Sequence, residues 1–232
     1  MFKDTIPGLN RIFKTDTESP KVVLVTGPPG SLKTSFCYDI MSKFLERRDE
    51  FGVYLTLEEE KESQVKNMED LGVDLANNMH ISDITDLREI DEIIEEEGTD
   101  YVEFIEDLLR SFREEKGDDF TIFALDSLGA LYSLMEDTEN MRKRMFSFFK
   151  LLRDLDLYCF VVMERNPGSE ANLLGDEGFL VDGVINLGID RKSGKLTRYI
   201  QVEKMRACKH RMEKHALEVG KKGLKVLGPL FE

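Results

Sequence analysis

The chain of 232 residues is 41% apolar and 34% charged, and its formal net charge is −14. This length is sufficient for the core of one large α/β domain, and the negative charge excludes a general attraction to nucleic acid or anionic lipid. The three cysteines, Cys37, Cys159 and Cys208, are widely spaced, which is typical of a reducing cytoplasm and gives no disulfide framework. The first residues lack the apolar core of a signal peptide, and no apolar run approaches the roughly 20 residues of a membrane span. We therefore expect a cytoplasmic protein with no membrane segment.

Short apolar runs alternate with longer stretches of helical period along the chain. In chain order, strands are predicted at 21–27, 51–57 and 79–84, with helices from about residue 34 and at 58–72. A very acidic helical region covers 85–116, and the strongest strand signal lies in 120–135 and runs into an aspartate. A helix at 138–155, a strand at 157–165, a loop at 166–178 and two strands at 179–190 and 195–206, joined by a hairpin turn, follow.

This alternation predicts an α/β fold in which a mostly parallel sheet has helices on both faces. The C-terminal hairpins predict an antiparallel extension of that sheet. The sequence shows no internal repeat, low-complexity linker or change of composition, so we expect one domain over residues 1–232.

The segment GPPGSLKTS, residues 27–35, joins the first strand to the first helix and resembles a phosphate-binding loop. The general pattern is G-x-x-x-x-G-K-[ST], and Gly27, Lys33 and Thr34 match its first glycine, lysine and hydroxyl positions. In this setting backbone N–H groups bind phosphate oxygens, the lysine binds the β- and γ-phosphates, and the threonine hydroxyl binds Mg²⁺. The alternative is an ordinary Gly/Pro turn. The predicted ligands of ATP or ADP are Gly27, Pro28, Pro29, Gly30, Ser31, Leu32, Lys33, Thr34 and Ser35.

Leu32 occupies the last glycine position of that pattern. Glycine permits a positive φ and a close approach of the ligand, and leucine disfavours both. We therefore expect a loop of slightly different shape or a ligand that lies slightly differently, with Gly30 meeting part of the conformational demand. Nucleotide binding tolerates such a change better than fast hydrolysis does.

Acidic residues follow two of the predicted strands. Asp126 ends the run FTIFALD, and a carboxylate at the C-terminal edge of a parallel sheet can bind Mg²⁺ beside the phosphates. Glu58 and Glu59 follow the second strand at the same edge, where a carboxylate can act as the general base that deprotonates water. Taken alone, an aspartate can be a turn residue, and the dipole of a helix favours glutamates in its first turn.

Several segments together resemble the KaiC-like ATPases, which belong to the RecA superfamily of P-loop proteins and include single-domain archaeal forms. These segments are GPPGSLKTSF, FGVYLTLEEEKESQVKNMEDLGVDL, IFALDSLGALYSL, VVMERNPG and VEKMRACKHRMEKHALEVGKKGLKV, preceded by DTIPGLNRIF. The resemblance covers nearly the whole chain and is weakest over 85–116. Its most specific features are the TxEE strand end and the KMR…H segment.

The resemblance implies a RecA-like fold that binds ATP or ADP with Mg²⁺, and a regulatory ATPase that hydrolyses ATP. It implies that Lys33 and Thr34 bind phosphate and Mg²⁺, and that Asp126 is the strand-end acid at the Mg²⁺ site. Glu58 resembles the catalytic glutamate of the family, and Glu59 resembles its partner. The expected assembly is a homo-oligomer in the form of a hexameric ring, with a protein partner that the sequence does not identify.

Three further residues take roles from the resemblance. Glu164 is similar to a polar residue that senses the γ-phosphate, and Lys204 and Arg206 are similar to a pair that reaches the nucleotide of an adjacent subunit. Residues two apart in a strand point to the same face, so these two cations are expected to share an anionic partner or to form a solvated face. Ala207 stands where the family has glycine after the arginine.

Two other functions are left open by the sequence. The first is a non-hydrolysing, nucleotide-dependent assembly module, which Leu32 favours. The second is a recombinase-like DNA-binding protein, which is disfavoured because the segment 165–178 carries one arginine and three acidic residues and phosphate contacts need cations. The spacing of Cys208, His210 and His215 matches no zinc site, so we expect no such metal.

Overall fold

A computed structural model of the chain describes residues 2–17, 19–83, 94, 100–135, 141–165, 177–192 and 194–230. The strands are β1 (Val22–Gly27), β2 (Phe51–Thr56), β3 (Met79–Asp83), β4 (Phe120–Asp126), β5 (Tyr158–Glu164), β6 (Gly183–Lys192), β7 (Lys195–Met205), β8 (His215–Gly220) and β9 (Gly223–Pro229). They form a nine-stranded sheet in the order β3-β2-β4-β5-β1-β6-β7-β8-β9. The pairs from β3 to β6 are parallel, and those from β6 to β9 are antiparallel.

The helices of the described residues are α1 (Lys33–Leu45), α2 (Lys61–Asp70), α3 (Tyr101–Lys116), α4 (Leu128–Leu134), α5 (Met141–Asp154) and the single turn α6 (Glu177–Leu180). Two of them begin at a side chain that accepts hydrogen bonds from free backbone N–H groups, as N-caps do. The carboxylate of Asp100 accepts from Val102 and Glu103 at the start of α3, and the hydroxyl of Ser127 accepts from Ala130 at the start of α4.

Alternate residues of the central strand β1 enter two separate hydrophobic cores. Val23 and Val25 lie in the core formed with α1, α2 and the N-terminal residues. Val22 and Leu24 lie in the core formed with α3, α4 and α5. Successive side chains of a strand point to opposite faces, so a strand covered by helices on both sides is apolar throughout. The α/β fold with helices on both faces and an antiparallel C-terminal extension is therefore confirmed.

The final hairpin, β8–β9, is attached to α1 through the fully buried Asp39. Its carboxylate accepts a hydrogen bond from the backbone N–H of Leu224 at 2.7 Å and lies 2.6 Å from the ammonium of Lys43. Burial raises the pKa of Asp39, and the two partners oppose that rise. Gly223, with φ of 78°, brings the hairpin turn so close that a Cβ there would lie 2.7 Å from the carboxylate. The helix that follows the predicted phosphate loop is thus fixed to the C-terminal strands.

Two strand predictions were too long. β4 ends at Asp126, and the residues after Ser127 form α4 instead of continuing the strand. Similarly, α6 occupies the first residues of the strand predicted at 179–190, and β6 begins at Gly183. A short apolar run has no period that distinguishes a strand from a buried helical turn, which explains both differences.

Parts of five predictions lie outside the described residues. These are most of the loop at 166–178, nearly all of the first half of the acidic region at 85–116, the start of the helix at 138–155, the last residue of the strand at 79–84 and one residue of the hairpin turn. In the described part of the chain, no helix combines the length and apolar character required to cross a bilayer.

Candidate nucleotide site

The loop between β1 and α1 has a backbone that glycine would favour at three positions, one of which is Gly30 with φ of 76°. Gly27 has φ of 152°, and a Cβ there would lie 1.9 Å from the carbonyl oxygen of Leu187, so a side chain does not fit. Leu32, directly before α1, has φ of 74° and ψ of 31°. Leu32 therefore adopts the left-handed conformation expected of the glycine that it replaces, at the steric cost of an L-residue.

Lys33 places its ammonium between the loop and the end of β5. Its side chain is 8% exposed, and Nζ donates a hydrogen bond to the carbonyl oxygen of Pro28 at 3.1 Å. The carboxylate of Glu164 lies 3.7 Å from the same nitrogen. β1 and β5 are paired so that Gly27 lies beside Glu164, which explains why residues so distant in sequence meet here.

Asp126 ends β4 beside the loop and is almost fully buried. Tyr54 donates a hydrogen bond from Oη to Asp126 Oδ2 at 2.7 Å, and Thr34 lines the same cleft as this carboxylate. Burial raises the pKa of Asp126, the hydroxyls of Thr34 and Tyr54 oppose this rise, and the charge of Glu58 adds to it. The peptide bond between Asp126 and Ser127 is cis.

Glu58 is directed towards this carboxylate by a turn after β2. The hydroxyl of Thr56 accepts hydrogen bonds from the backbone N–H of Glu58 at 3.4 Å and of Glu59 at 3.1 Å, and it donates to the carbonyl of Glu59 at 3.1 Å. The Glu58 carboxylate accepts a hydrogen bond from the hydroxyl of Ser127. The threonine of the TxEE segment thus organises the turn, and the first glutamate faces the end of β4.

Glu59 faces another part of the molecule. Its carboxylate accepts a 2.6 Å hydrogen bond from the hydroxyl of Ser63 and a second one from the amide of Asn67, both on α2. This is the local role that an acid at the start of a helix commonly has. The two glutamates, adjacent in sequence, therefore have separate surroundings.

An open cleft of about 300 Å³ brings most of these residues together. Its lining contains residues of the loop and of three strand ends, but not Glu59: Pro29, Gly30, Leu32, Lys33, Thr34, Ser35, Glu58, Asp126, Ser127, Val162 and Glu164. The described residues contain no group of three His, Cys, Asp or Glu side chains suited to a metal ion. Mg²⁺ in nucleotide sites uses one or two protein oxygens together with phosphates, so the oxygens of Thr34 and Asp126, which line the same cleft, fit this ion.

Comparison with known families identifies the chain. A model of the KaiC ATPase family matches residues 2–230. The chain belongs to the KaiC ATPase family. Among the relatives of this KaiC-family chain are a UPF0273 protein of Methanopyrus kandleri, 27% identical over 95% of this chain and 89% of the relative, and one of Thermotoga maritima, 29% identical over 96% and 93%. The circadian clock protein KaiC3 of Synechocystis sp. is 25% identical over 96% of this chain and 44% of its own length.

The fold of a KaiC-like protein from the archaeon Pyrococcus horikoshii OT3 is also similar. The two structures superpose with a TM-score of 0.76 over 96% of each chain, at 24% sequence identity. This similarity shows that the KaiC-family chain has the RecA-like fold that was predicted.

Lys204 and Arg206 of this KaiC-family chain lie at the end of the sheet opposite to the phosphate loop. β7 is antiparallel to β6, so Met205 pairs with Gly183 at the start of β6. Gly183 in turn pairs with Val23, four residues before Gly27. Four residues of a strand span about 13 Å, so the two cations are not part of the cleft beside the loop of their own chain.

Within their own chain, these two cations bind the segment that precedes β6. The ammonium of Lys204 donates to the carbonyl oxygens of Gly178 at 2.9 Å and Val181 at 2.7 Å. Burial lowers the pKa of Lys204, and the charge of Arg206 lowers it further. Arg206 donates to Asp182 Oδ1 at 3.1 Å, and its side chain is still 54% exposed.

Three residues beside the site were missed by the sequence reasoning. Tyr54 and Ser127 lie next to recognised residues, two positions before the TxEE threonine and one after Asp126, and this proximity is the signal that could have found them. Arg198 on β7 donates from Nε to the carbonyl oxygen of Gly30 at 2.9 Å. No local pattern marks Arg198, because its contact depends on the pairing of β7 with β6.

Proposed function

We propose that the chain is a single-domain regulatory ATPase that binds ATP and ADP with Mg²⁺ and hydrolyses ATP at sites shared between subunits of a homo-oligomeric ring. The observation that supports this most strongly is the convergence of Lys33, Thr34, Asp126 and Glu58 on one cleft beside a phosphate loop. Membership of the KaiC ATPase family supports the same reaction.

In this proposal the loop and Lys33 bind the phosphates. The N-terminus of α1 provides backbone N–H groups and a favourable dipole for anionic oxygens. Lys33, which bonds the Pro28 carbonyl here, transfers its hydrogen bonds to the β- and γ-phosphates. Glu164, 3.7 Å from the ammonium, is then the polar group at the end of β5 that responds to the γ-phosphate.

Thr34 and Asp126 hold the metal ion in this proposal. Mg²⁺, when bound, neutralises charge that develops on the β- and γ-oxygens. Because Asp126 is buried and its carboxylate accepts a hydrogen bond from Tyr54, the direction of this carboxylate in the cleft is restricted.

Glu58 is the proposed general base. It lines the cleft and takes a hydrogen bond from Ser127, so a water molecule near the γ-phosphate would lie within its reach. A base held in this way orients the water and accepts its proton. The role of Glu59 as its partner is indirect, since Glu59 fixes the start of α2.

The location of Lys204 and Arg206 supports sites that are shared between subunits. The pair lies about the length of a strand away from the phosphate loop of its own subunit. In a ring, each subunit contacts the next one through a different part of its surface, so the pair of one subunit can face the phosphate loop of its neighbour. The exposed Arg206 could then reach the neighbour's nucleotide, where an arginine supplied in trans stabilises the transition state.

Calorimetric titration of ATP and ADP in the presence of Mg²⁺ tests nucleotide binding. We expect the wild type to bind and Lys33→Ala to lose binding, because the variant lacks the phosphate-facing cation. Lys66→Ala, which removes an exposed lysine from α2, is the matched control and should bind normally. Equal affinity in Lys33→Ala and the wild type would contradict the site.

Light scattering with and without Mg-ATP, combined with phosphate release, separates the proposed ATPase from the assembly module. We expect a ring-sized oligomer that releases phosphate. Nucleotide-dependent assembly without any release of phosphate would instead identify a non-hydrolysing assembly module. If DNA is added to the protein and light scattering detects a complex between the two, this result would favour the recombinase-like alternative.

A further inference from the structure

Tyr54 forms a hydrogen bond inside the core that the packing of the core does not require. Its ring is fully buried between the sheet and α1, and its hydroxyl donates to Asp126 Oδ2 at 2.7 Å. The bond crosses from β2 to β4, where Thr56 pairs with Asp126 and Tyr54 pairs with Ala124. The register of these two strands therefore places a phenol directly behind the strand-end carboxylate.

The neighbouring Tyr38 shows that a buried hydroxyl is tolerated here without such a bond. Tyr38 on α1 is as fully buried as Tyr54, and the two ring centroids are 5.9 Å apart. Within the described residues, the hydroxyl of Tyr38 has no hydrogen-bond partner. The hydroxyl of Tyr54, by contrast, is directed at the one buried carboxylate that faces the cleft.

The chemistry of the Tyr54 hydroxyl suits a permanent donor. The ordinary pKa of tyrosine is about 10, so the phenol of Tyr54 is protonated at neutral pH and donates to the carboxylate. Thr34 lines the cleft and is a proposed ligand of Mg²⁺. Tyr54 is outside the lining of the cleft and holds the carboxylate from the core side.

We propose that Tyr54 is a positioning residue for Mg²⁺, whose hydroxyl orients the Asp126 carboxylate so that nucleotide is bound together with the ion. This inference rests on the proposed nucleotide site. It predicts that the loss of one hydroxyl, without a change of shape, weakens the contribution of Mg²⁺ to nucleotide binding. Binding of the phosphates by the loop and Lys33 does not involve Tyr54 and should be unaffected.

The test compares the affinity for ADP in Mg²⁺ and in EDTA for the wild type, Tyr54→Phe and Tyr38→Phe. Both variants remove one buried hydroxyl from the same core cluster, and only Tyr54→Phe removes a bond to Asp126. We expect the ratio of the two affinities to fall about tenfold in Tyr54→Phe, as the loss of a hydrogen bond to a charged group predicts. The affinity in EDTA should stay within about twofold of the wild type, and Tyr38→Phe should keep the wild-type ratio.

The increase in melting temperature that Mg-ADP gives over ADP in EDTA provides a second measurement, and it should shrink in Tyr54→Phe alone. An unchanged ratio in Tyr54→Phe would overturn the inference. Equal weakening in Mg²⁺ and EDTA, or the same loss in Tyr38→Phe, would assign Tyr54 to core packing and also overturn it. If the wild type binds ADP in neither condition, the proposed function itself is wrong.

Discussion

Leu32 lies beyond the C-terminal end of β1, and Ala207 lies at the opposite side of the sheet, beside the start of β6. Both residues have a left-handed backbone conformation, with φ of 74° and 53°. The phosphate-loop pattern has glycine at the position of Leu32, and the resemblance to the family implies glycine at the position of Ala207. Both residues keep the backbone conformation that glycine favours, and the steric cost of that conformation for an L-residue is strain at these two positions. This cost falls on stability, and Leu32 has the positive φ that a glycine at this position would favour.

We expect Leu32→Gly to be more stable than Leu32→Ala by about 1 kcal/mol, the reverse of the usual order of the two residues. Both variants lose the leucine side chain, which packs against the core, and only alanine keeps the penalty of a positive φ. Urea denaturation measures the difference. Because glycine keeps the same conformation, the affinity of Leu32→Gly for Mg-ADP should stay within about threefold of the wild type. A variant in which nucleotide affinity changes much more would show that the leucine side chain itself shapes the site.

The separate surroundings of Glu58 and Glu59 predict unequal effects on ATP hydrolysis. Glu58→Gln should lower kcat by about 100-fold or more, because the proposed general base is lost. Glu59→Gln should lower kcat by less than about tenfold, because its carboxylate bonds Ser63 and Asn67 instead of facing the cleft. Phosphate release at saturating ATP measures both. An equally large loss in Glu59→Gln would mean that the second glutamate takes part in the chemistry.

Shared sites predict complementation between two inactive variants. Glu58→Gln and Arg206→Ala should each fail to hydrolyse ATP alone, since every site of each homo-oligomer lacks one essential group. When subunits exchange, some interfaces combine an intact Glu58 with an intact Arg206 of the neighbour, and hydrolysis should partly return.

Arg110→Ala provides the control for this experiment, because it removes another exposed arginine, on α3, a helix that contributes no residue to the lining of the cleft. It should hydrolyse ATP by itself. Co-assembled mixtures of the two inactive variants that show no activity would place Arg206 in a role within its own subunit, where it already bonds Asp182.

Asp182 predicts a specific dependence of stability on pH. Although burial raises its pKa, hydrogen bonds from the Val22 N–H, Arg153 and Arg206 hold the pKa below the usual range. A carboxyl with a depressed pKa in the folded state stabilises the protein above its unfolded pKa of about 3.9, and this contribution is lost as pH falls through the folded pKa. Asp182→Asn should therefore lower the free energy of unfolding by about 2 kcal/mol at pH 7, and by progressively less below pH 4. Chemical denaturation of the variant and the wild type across this pH range measures the loss. If the two proteins still differ in stability at low pH, the stabilisation by Asp182 does not depend on its charge.

Asp154→Asn is a suitable control for that series. Asp154 pairs with Lys150 on the surface of α5, and its side chain is 57% exposed. Exposed pairs of this kind contribute little to stability, so the control should unfold much like the wild type at every pH.

The local pattern of the sequence was sufficient to predict the framework of the site. The apolar run of β1, the loop that follows it and the start of α1 are adjacent in the chain, and their conformations depend mainly on neighbouring residues. The same is true of the runs that deliver Asp126 and Glu58 to strand ends, because the C-terminal ends of parallel strands meet at one edge. The fold class followed from the alternation of these elements.

The roles of individual side chains at that edge depended on the tertiary structure. A turn organised by Thr56 directs Glu58 to Ser127 and leaves Glu59 bonded to side chains of α2, although the two residues have the same chemistry. The register of β2 against β4 brings Tyr54 to Asp126, and the antiparallel direction of β7 carries Lys204 and Arg206 away from their own phosphate loop. Register and strand direction are fixed by hydrogen bonds between residues that are distant in sequence, so the local periodicity of the sequence does not predict them.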